Sequence, residues 1–262
     1  MNFDGLRVAV TGAGRDSGRR LAMAFAAGGA HVYASARDAA AARHTVDLIR
    51  QHTKGTAEAS VCDLASPDSV RLFVAALSNR TDHLDVLVNN GATYVHGEDL
   101  GDAEDDDIAA TITGAATGTV LLTKHLLPLL RASVRPDIVN LISACGEVGH
   151  HHSRAHPAFY AAKRAQAGLA EILSHRLRPE GVRVISLFPP DFVQHGPREA
   201  HSDLTAQSVV DCALFAVAQP RDCFIREFRF EQAVTPQRRA DVQRRHHQKE
   251  PLPVNGVAGH GR

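Results

Sequence analysis

The chain contains no tryptophan, and aromatic residues make up only 5% of its 262 residues. Its core must therefore consist mostly of alanine, valine, leucine and isoleucine. No apolar run approaches the roughly 18 residues that a membrane-spanning helix needs. The 29 basic and 29 acidic side chains cancel, so the composition gives no electrostatic reason to expect nucleic acid or an anionic membrane as a partner.

Cysteine is also scarce, and the sequence has no C-x-x-C pair. The thiols therefore have neither the spacing of a disulfide framework nor that of a metal site, and reduced cysteines are expected. The first residues, 1–5, lack the basic region and apolar core of a signal peptide. We expect a cytoplasmic, enzyme-sized protein. The four cysteines are Cys62, Cys145, Cys212 and Cys223.

Short β-branched segments alternate with longer amphipathic ones. Strands separated by helices of this length predict right-handed crossovers and a parallel sheet covered on both faces. The prediction is an α/β fold in three layers, a doubly wound sheet of about seven strands in a single domain over 1–232. The predicted strands are 6–11, 31–36, 57–62, 84–89, 138–143, 182–188 and 223–230; the helices are 18–28, 40–52, 67–78, 103–131, 158–177 and 206–218.

The last residues, 233–262, have a different character. They are rich in arginine and glutamine and then in proline and glycine, with no periodicity. We interpret them as a flexible tail.

A glycine-containing turn joins the first strand to the first helix. The segment 11–18, Thr-Gly-Ala-Gly-Arg-Asp-Ser-Gly, directs backbone N–H groups and a helix N-terminus toward one point, which suits a pyrophosphate. Such a turn alone is weak evidence. Further segments follow in order, namely Cys62-Asp63-Leu64, Asn89-Asn90-Gly91-Ala92, a strand ending at Ser143, Tyr160-Ala161-Ala162-Lys163, and Pro189 after a strand.

This ordered set resembles the short-chain dehydrogenase/reductase family over about residues 5–230. The resemblance implies a Rossmann-type fold, a nicotinamide cofactor and a small-molecule carbonyl or alcohol substrate. It also implies a homodimer or homotetramer formed through the helices at 103–131 and 158–177. The cofactor site implied by the resemblance comprises Gly12, Arg15, Asp16, Ser17, Gly18, Arg37, Asp63, Leu64, Asn89, Gly91, Lys163, Pro189 and Phe192.

The cofactor selectivity depends on the end of the second strand. Relatives that use NAD have a carboxylate there, whereas this chain has Ala36 followed by Arg37, with Arg15 in the glycine turn. Two guanidinium groups and no acid favour the 2′-phosphate of NADP. The alternative is that Arg37 is only a solvated residue at a helix start.

Two residues of the glycine turn depart from the family pattern. Asp16 stands where the middle glycine is usual, and Ser17 follows where isoleucine or leucine is usual. A carboxylate near a pyrophosphate weakens binding, unless Arg15 or Arg19 neutralises it or it turns toward solvent.

The resemblance implies a catalytic set of Ser143, Tyr160 and Lys163. The serine would orient the substrate oxygen, the tyrosine would supply the proton, and the lysine would bind the nicotinamide ribose. The family tyrosine stands four residues before the lysine, where this chain has Phe159; Tyr160 is three before it. A bulge at the helix start would let Tyr160 act, and otherwise it is displaced.

Two further family positions are altered. Ala115 stands where an asparagine is expected, and Pro190 replaces a glycine. The leading hypothesis is an NADP-dependent oxidoreductase that moves hydride between nicotinamide and a carbonyl or alcohol carbon. The alternative is a redox-inactive member of the same fold, namely a lyase, an isomerase, a binding protein or a partner subunit.

Two loops flank the expected substrate pocket. The loop 150–156 carries four histidines and is interpreted as a solvated loop, a substrate contact or, least favoured, a metal ligand set; no metal is expected. The segment 191–204 is predicted to be the mobile substrate lid. Cys145 is expected to be a small loop residue rather than a nucleophile.

Overall fold

The computed structural model describes residues 1–199 and 202–232. Its sheet has seven strands in the order β3-β2-β1-β4-β5-β6-β7, and every pairing is parallel. The predicted doubly wound sheet is confirmed, with its switch point between β1 and β4. The strands are β1 Arg7–Val10, β2 His31–Ala36, β3 Thr56–Val61, β4 Val86–Asn89, β5 Asp137–Leu141, β6 Arg183–Phe188 and β7 Glu227–Arg229.

Helices connect the strands, and their starts follow from local chemistry. Asp38 accepts a hydrogen bond from the Ala40 N–H, and Ser66 accepts one from the Ser69 N–H ahead of a helix that begins with proline. The helices are α1 Asp16–Ala27, α2 Ala39–His52, α3 Pro67–Ser78, α4 Asp105–Ile112, α5 Gly118–Arg131, α6 Pro157–Arg176 and α7 Ala206–Ala218.

Two aliphatic cores, one on each face of the sheet, give the three predicted layers. One contains side chains of α1, α2 and α7, such as Leu21, Ile49 and Val217. The other contains side chains of α3, α5 and α6, such as Phe73 and Leu126. Few aromatic rings take part, as the composition requires.

The single helix predicted over 103–131 is interrupted. A π-helical turn, Thr113–Thr117, separates α4 from α5. At the start of α5, Gly118 packs on the Leu64 carbonyl so closely that any side chain would collide with it. The π turn brings the backbone of α5 onto the loop after β3, and a glycine is needed at that contact.

The last strand is shorter than the predicted 223–230. The Cys223 carbonyl accepts a hydrogen bond from the Arg183 guanidinium at 2.9 Å, so residue 223 lies outside the strand ladder. Pairing with β6 begins only at Glu227. The predicted tail, 233–262, and residues 200–201 of the predicted lid lie outside the described residues.

No helix within the described residues is both long and apolar enough to cross a bilayer.

Candidate active site

A cavity of about 430 Å³ opens at the carboxyl ends of β1, β2 and β4. It lies at the switch point, where doubly wound sheets bind their ligands. Its walls bring together residues that the sequence places far apart. The lining includes nine predicted cofactor residues, namely Gly12, Arg15, Asp16, Ser17, Gly18, Arg37, Asp63, Leu64 and Gly91.

The glycine turn forms a tight cradle at one side of this cavity. Gly12 has φ +64°, and a side chain on Gly18 would collide with the Gly12 carbonyl. Ser17, in the first turn of α1, is 6% exposed, and its hydroxyl has no hydrogen-bond partner among the described residues. An unpaired hydroxyl beside free helix N–H groups fits an anionic diphosphate.

Asp16 has the left-handed φ of +49°, which a side chain rarely adopts. Arg15 Nε lies 3.5 Å from Asp16 Oδ2, and both side chains are more than half exposed, so the Asp16 carboxylate has a cationic neighbour and also faces solvent. Arg19 instead donates to the Gly14 carbonyl and to the Thr45 hydroxyl. Arg19 therefore supports the turn, and Asp16 keeps a single cationic neighbour in it.

Arg37 is exposed at the cavity rim, across from Arg15. The carboxylate next to it, Asp38, accepts hydrogen bonds from the Ala40 and Ala41 N–H groups at 2.9 and 3.3 Å and so caps α2. The rim consequently carries two guanidinium groups; of the acids next to them, Asp38 is engaged by the backbone and Asp16 lies beside Arg15.

Asn89 does not line the cavity, although the resemblance placed it at the cofactor site. Its side chain is buried and donates to Asn140 Oδ1 at 2.9 Å and to the Thr123 hydroxyl at 3.2 Å. Asn90 lines the wall instead, and its Nδ2 donates to the Thr11 carbonyl at 3.0 Å. Asn89 is the last residue of β4, whereas Asn90 lies just beyond the strand in the segment that borders the cavity.

Pro189 and Phe192 also lie outside this cavity. The Pro189 carbonyl accepts a hydrogen bond from the Ala144 N–H at 2.8 Å, which joins the end of β6 to the turn after β5. That turn follows Ser143, which is half-buried and has φ +134°. The Ser143 hydroxyl accepts a hydrogen bond from the Cys145 N–H at 3.2 Å and keeps its own proton available.

Lys163 lies on α6 and is only 4% exposed. Its Nζ donates to the Leu141 carbonyl at 3.1 Å and to Gln166 Oε1 at 2.8 Å. Burial lowers the pKa of Lys163 to about 8, an effect that the neighbouring Cys145 partly opposes.

The phenylalanine, not the tyrosine, stands beside this lysine. The Phe159 ring centroid lies 5.4 Å from Lys163 Nζ. The Tyr160 hydroxyl accepts from the Ser153 N–H at 3.1 Å and donates to the Ser153 carbonyl at 3.0 Å. α6 continues without a bulge through both residues, so the shift of register anticipated for Tyr160 is absent here, and its hydroxyl is directed to the histidine-rich loop.

Ser153 also joins this loop to the predicted lid, because its hydroxyl donates to Asp191 Oδ1 at 3.2 Å. Burial first, and then the nearby Cys145, raise the pKa of Tyr160. Three residues further along the predicted lid, Arg20 donates to the Gln194 carbonyl at 2.7 Å.

The four histidines of the histidine-rich loop, residues 150–156, lie in different surroundings. His151 and His152 are exposed, and His156 is buried and accepts from the Ala158 N–H as the cap of α6. His150 packs 6.4 Å from the Tyr160 ring. Within residues 1–199 and 202–232, no cluster of three or more ligand side chains could hold a metal ion.

Two groups near Lys163 were missed by sequence reasoning. Tyr94 packs edge-on against Phe159 with ring centroids 5.0 Å apart, and burial and Asp191 raise its pKa. Gln166 contacts the lysine directly. The position of Tyr94, two residues after the Asn-Asn-Gly-Ala segment, was a signal that could have placed it near the site. Gln166 follows Lys163 by three residues, so the two side chains share one helix face, and this spacing was the signal for their contact.

Comparison with known proteins shows what this arrangement is similar to. A family model described as short chain dehydrogenase matches residues 7–202. A putative ketoacyl reductase of granaticin polyketide synthesis from Streptomyces violaceoruber is 32% identical over 69% of this chain and 65% of its own length. L-fucose dehydrogenase from Bos taurus is 30% identical over 71% of this chain and 66% of its own length. The chain thus spans slightly less than two thirds of these relatives.

Solved structures agree on the fold. A metagenomic short-chain oxidoreductase in complex with NADP superposes with a TM-score of 0.75 at 26% identity, covering 87% of this chain and 98% of that one. L-Sorbose reductase from Gluconobacter frateurii gives 0.78 at 18% identity, covering 89% and 97%. Since the family model covers residues 7–202, which is most of the chain, the protein belongs to the short-chain dehydrogenase family.

Proposed function

We propose that the protein is an NADP-dependent oxidoreductase that transfers hydride between nicotinamide and a carbonyl or alcohol carbon of a small-molecule substrate. The observation that carries this proposal is the cavity with an unpaired Ser17 hydroxyl at its base and Arg15 and Arg37 at its rim. This set of donors matches a diphosphate and a 2′-phosphate. The cofactor, when bound, supplies or accepts the hydride.

Each remaining residue has a role in this proposal. Lys163 uses two of its three N–H bonds inside the protein, which leaves one for the nicotinamide ribose. Ser143 keeps a hydroxyl proton that suits a substrate oxygen. In this scheme Asp63 contacts the adenosine from the cavity wall, and Pro189 and Phe192, which lie outside the cavity, contact the nicotinamide that extends beyond it. Residues 191–204 form the substrate lid in this scheme.

Tyr160 is the proton donor in this proposal. The hydroxyl is protonated at neutral pH, as a general acid requires, although its raised pKa makes it a weaker acid than an ordinary tyrosine. The two hydrogen bonds to Ser153 must break before that hydroxyl can reach a substrate. Opening of the histidine-rich loop is therefore part of the catalytic cycle that we propose.

Phe159 favours a second candidate, a redox-inactive protein that binds the cofactor without turnover. An apolar ring beside Lys163 removes the tyrosine–lysine pair that the family uses, while the Tyr160 hydroxyl is engaged elsewhere. The two candidates share a cofactor site and differ in chemistry, so one variant separates them.

The first test is a titration with NADPH and then NADH, followed by nicotinamide fluorescence against the low background of a chain without tryptophan. We expect NADPH to bind more tightly. Turnover with a carbonyl panel is then compared for wild type and Tyr160→Phe. A loss of about 100-fold or more supports the oxidoreductase. Cofactor binding with no turnover in either protein supports the second candidate, and no binding at millimolar NADPH contradicts both.

We also propose a homodimer or homotetramer in the cytoplasm. The helices expected to pair expose apolar side chains, namely Ile112, Val120 and Ile172. All four cysteines are free, which suits a reducing compartment. Light scattering after size-exclusion chromatography tests the assembly, and a Val120→Glu, Ile172→Glu double variant should yield monomers.

A further inference from the structure

A chain of hydrogen bonds runs from Lys163 into the protein between α5 and α6. Lys163 Nζ donates to Gln166 Oε1 at 2.8 Å, and Gln166 Nε2 donates to the Thr119 hydroxyl at 2.9 Å. That hydroxyl donates to the Ala115 carbonyl at 2.7 Å. The lysine, glutamine and threonine are each 4% exposed or less, so water does not compete for these bonds.

The direction of the chain is fixed by what each group can donate. Thr119 has one hydroxyl proton and gives it to Ala115, so toward Gln166 it can only accept. The amide must therefore turn its NH₂ to Thr119 and its oxygen to Lys163. An ammonium only donates, so this orientation is the one that satisfies both ends.

The chain ends at the position where the family resemblance expects an asparagine. Ala115 is fully buried in the π turn and offers only its backbone carbonyl. We propose that Gln166, oriented by Thr119, is the positioning residue that holds the Lys163 ammonium for the cofactor ribose in place of the side chain that Ala115 lacks. This inference rests on the proposed function.

These hydrogen bonds keep the buried Lys163 ammonium charged and fix its orientation. Burial alone favours the neutral amine, and the Gln166 oxygen and the Leu141 carbonyl oppose it with two charge-assisted hydrogen bonds. Cys145, from the turn after β5, is a titratable neighbour that acts on the pKa of Lys163. Tyr160 lies about one helical turn before Lys163 on α6. The Phe159 ring covers another side.

The test reads the lysine directly in the cofactor-free protein. The chain has four lysines, so a protein labelled with ¹³C at lysine Cε gives few signals, and Lys163→Met assigns the one of interest. Gln166→Glu should move the titration midpoint of Lys163 up by about one pH unit or more, because a carboxylate replaces the amide. Gln166→Leu should move it down.

Variants of Thr119 test the orienting step. Thr119→Val leaves the Gln166 amide free to rotate and should lower the titration midpoint of Lys163. Thr119→Ser retains the hydroxyl and should keep that midpoint at the wild-type value. Gln207→Leu on α7 is the matched control, since Gln207 contacts Asp211 and is remote from Lys163. Circular dichroism establishes that each variant is folded, and the isosteric Gln166→Glu keeps the test informative if Gln166→Leu does not fold.

NADPH binding supplies the second readout. We expect Gln166→Leu to weaken NADPH about tenfold at pH 7, while the Gln207→Leu control binds as wild type does. Unchanged midpoints in both Gln166 variants, with normal NADPH binding, would overturn this inference alone. Shifted midpoints with an unchanged NADPH Kd overturn the positioning role. Failure of the wild type to bind NADPH overturns the proposed function and this role with it.

Discussion

The Phe159 ring stands between Lys163 and Tyr94, with its centroid 5.4 Å from the lysine Nζ and 5.0 Å from the tyrosine ring. It stands four residues before Lys163, at the position where the resemblance expects the family's tyrosine. The chain retains the lysine and its contacts while presenting an apolar ring to it.

Phe159→Tyr should consequently raise turnover. The added hydroxyl lies beside Lys163, whose positive charge lowers the pKa of a nearby phenol and favours proton transfer. We expect kcat with NADPH to increase about tenfold or more, with an unchanged Kd for NADPH. The control is Phe215→Tyr on the exposed face of α7. Equal turnover in wild type and Phe159→Tyr would mean that proton transfer from this position does not limit the reaction.

Arg37→Ala should weaken NADPH and leave NADH nearly unchanged. The Arg37 guanidinium is exposed at the cavity rim. NADPH differs from NADH only in its 2′-phosphate, and we propose that this guanidinium binds that phosphate. Loss of a charge-assisted contact predicts an increase in the NADPH Kd of about tenfold or more. Arg43→Ala, an exposed arginine on α2, is the matched control. A similar increase in the Kd of both NADPH and NADH would instead indicate that the substitution disrupts the start of α2.

Asp16 combines a left-handed backbone with a negative charge near the proposed pyrophosphate. Asp16→Gly should stabilise the protein by about 1 kcal/mol and tighten NADPH, because glycine adopts this conformation without strain. Asp16→Asn removes the charge but keeps the side chain, so it should tighten NADPH without the gain in stability. Urea denaturation and NADPH titration measure the two effects separately. Weaker binding by both variants would show that the carboxylate assists the cofactor.

Asp137 and Arg183 form a buried bidentate pair at 2.8 and 2.6 Å, at the end of the sheet opposite the cavity. Arg221 adds a third contact to the same carboxylate at 2.6 Å. Removal of one partner leaves a buried charge uncompensated, so Asp137→Leu should cost about 3–5 kcal/mol in free energy of unfolding. The exposed Arg131–Glu180 pair is the control, and Glu180→Gln should cost far less. A similar loss from both variants would contradict this account.

Much of the fold could be predicted because periodicity and turn residues are local signals. Six of the seven predicted strands lie within two residues of the observed bounds, whereas the last was too long because the Cys223 carbonyl is taken by Arg183. The interruption of the helix at Thr113–Thr117 depends on contact between Gly118 and Leu64, which belong to distant elements. Such contacts leave no periodic signature.

The site was predictable to a different degree at its two ends. The residues of the glycine turn carry their own backbone requirements, so they could be identified directly. Asn89 and Asn90 are neighbours in the chain, and the sequence alone did not show that Asn90 lines the cavity while the Asn89 side chain is buried against Asn140. The Gln166–Thr119 contact needs the relative rotation of two helices, and no property of either segment encodes that rotation.

The hydrogen bonds of Ser153 have a consequence for how the substrate side of the protein moves. Its backbone holds Tyr160 and its hydroxyl holds Asp191, so one residue connects the start of α6, the histidine-rich loop and the segment after β6. Displacing that residue releases all three at once. These three segments should therefore move in one concerted event with a single relaxation rate.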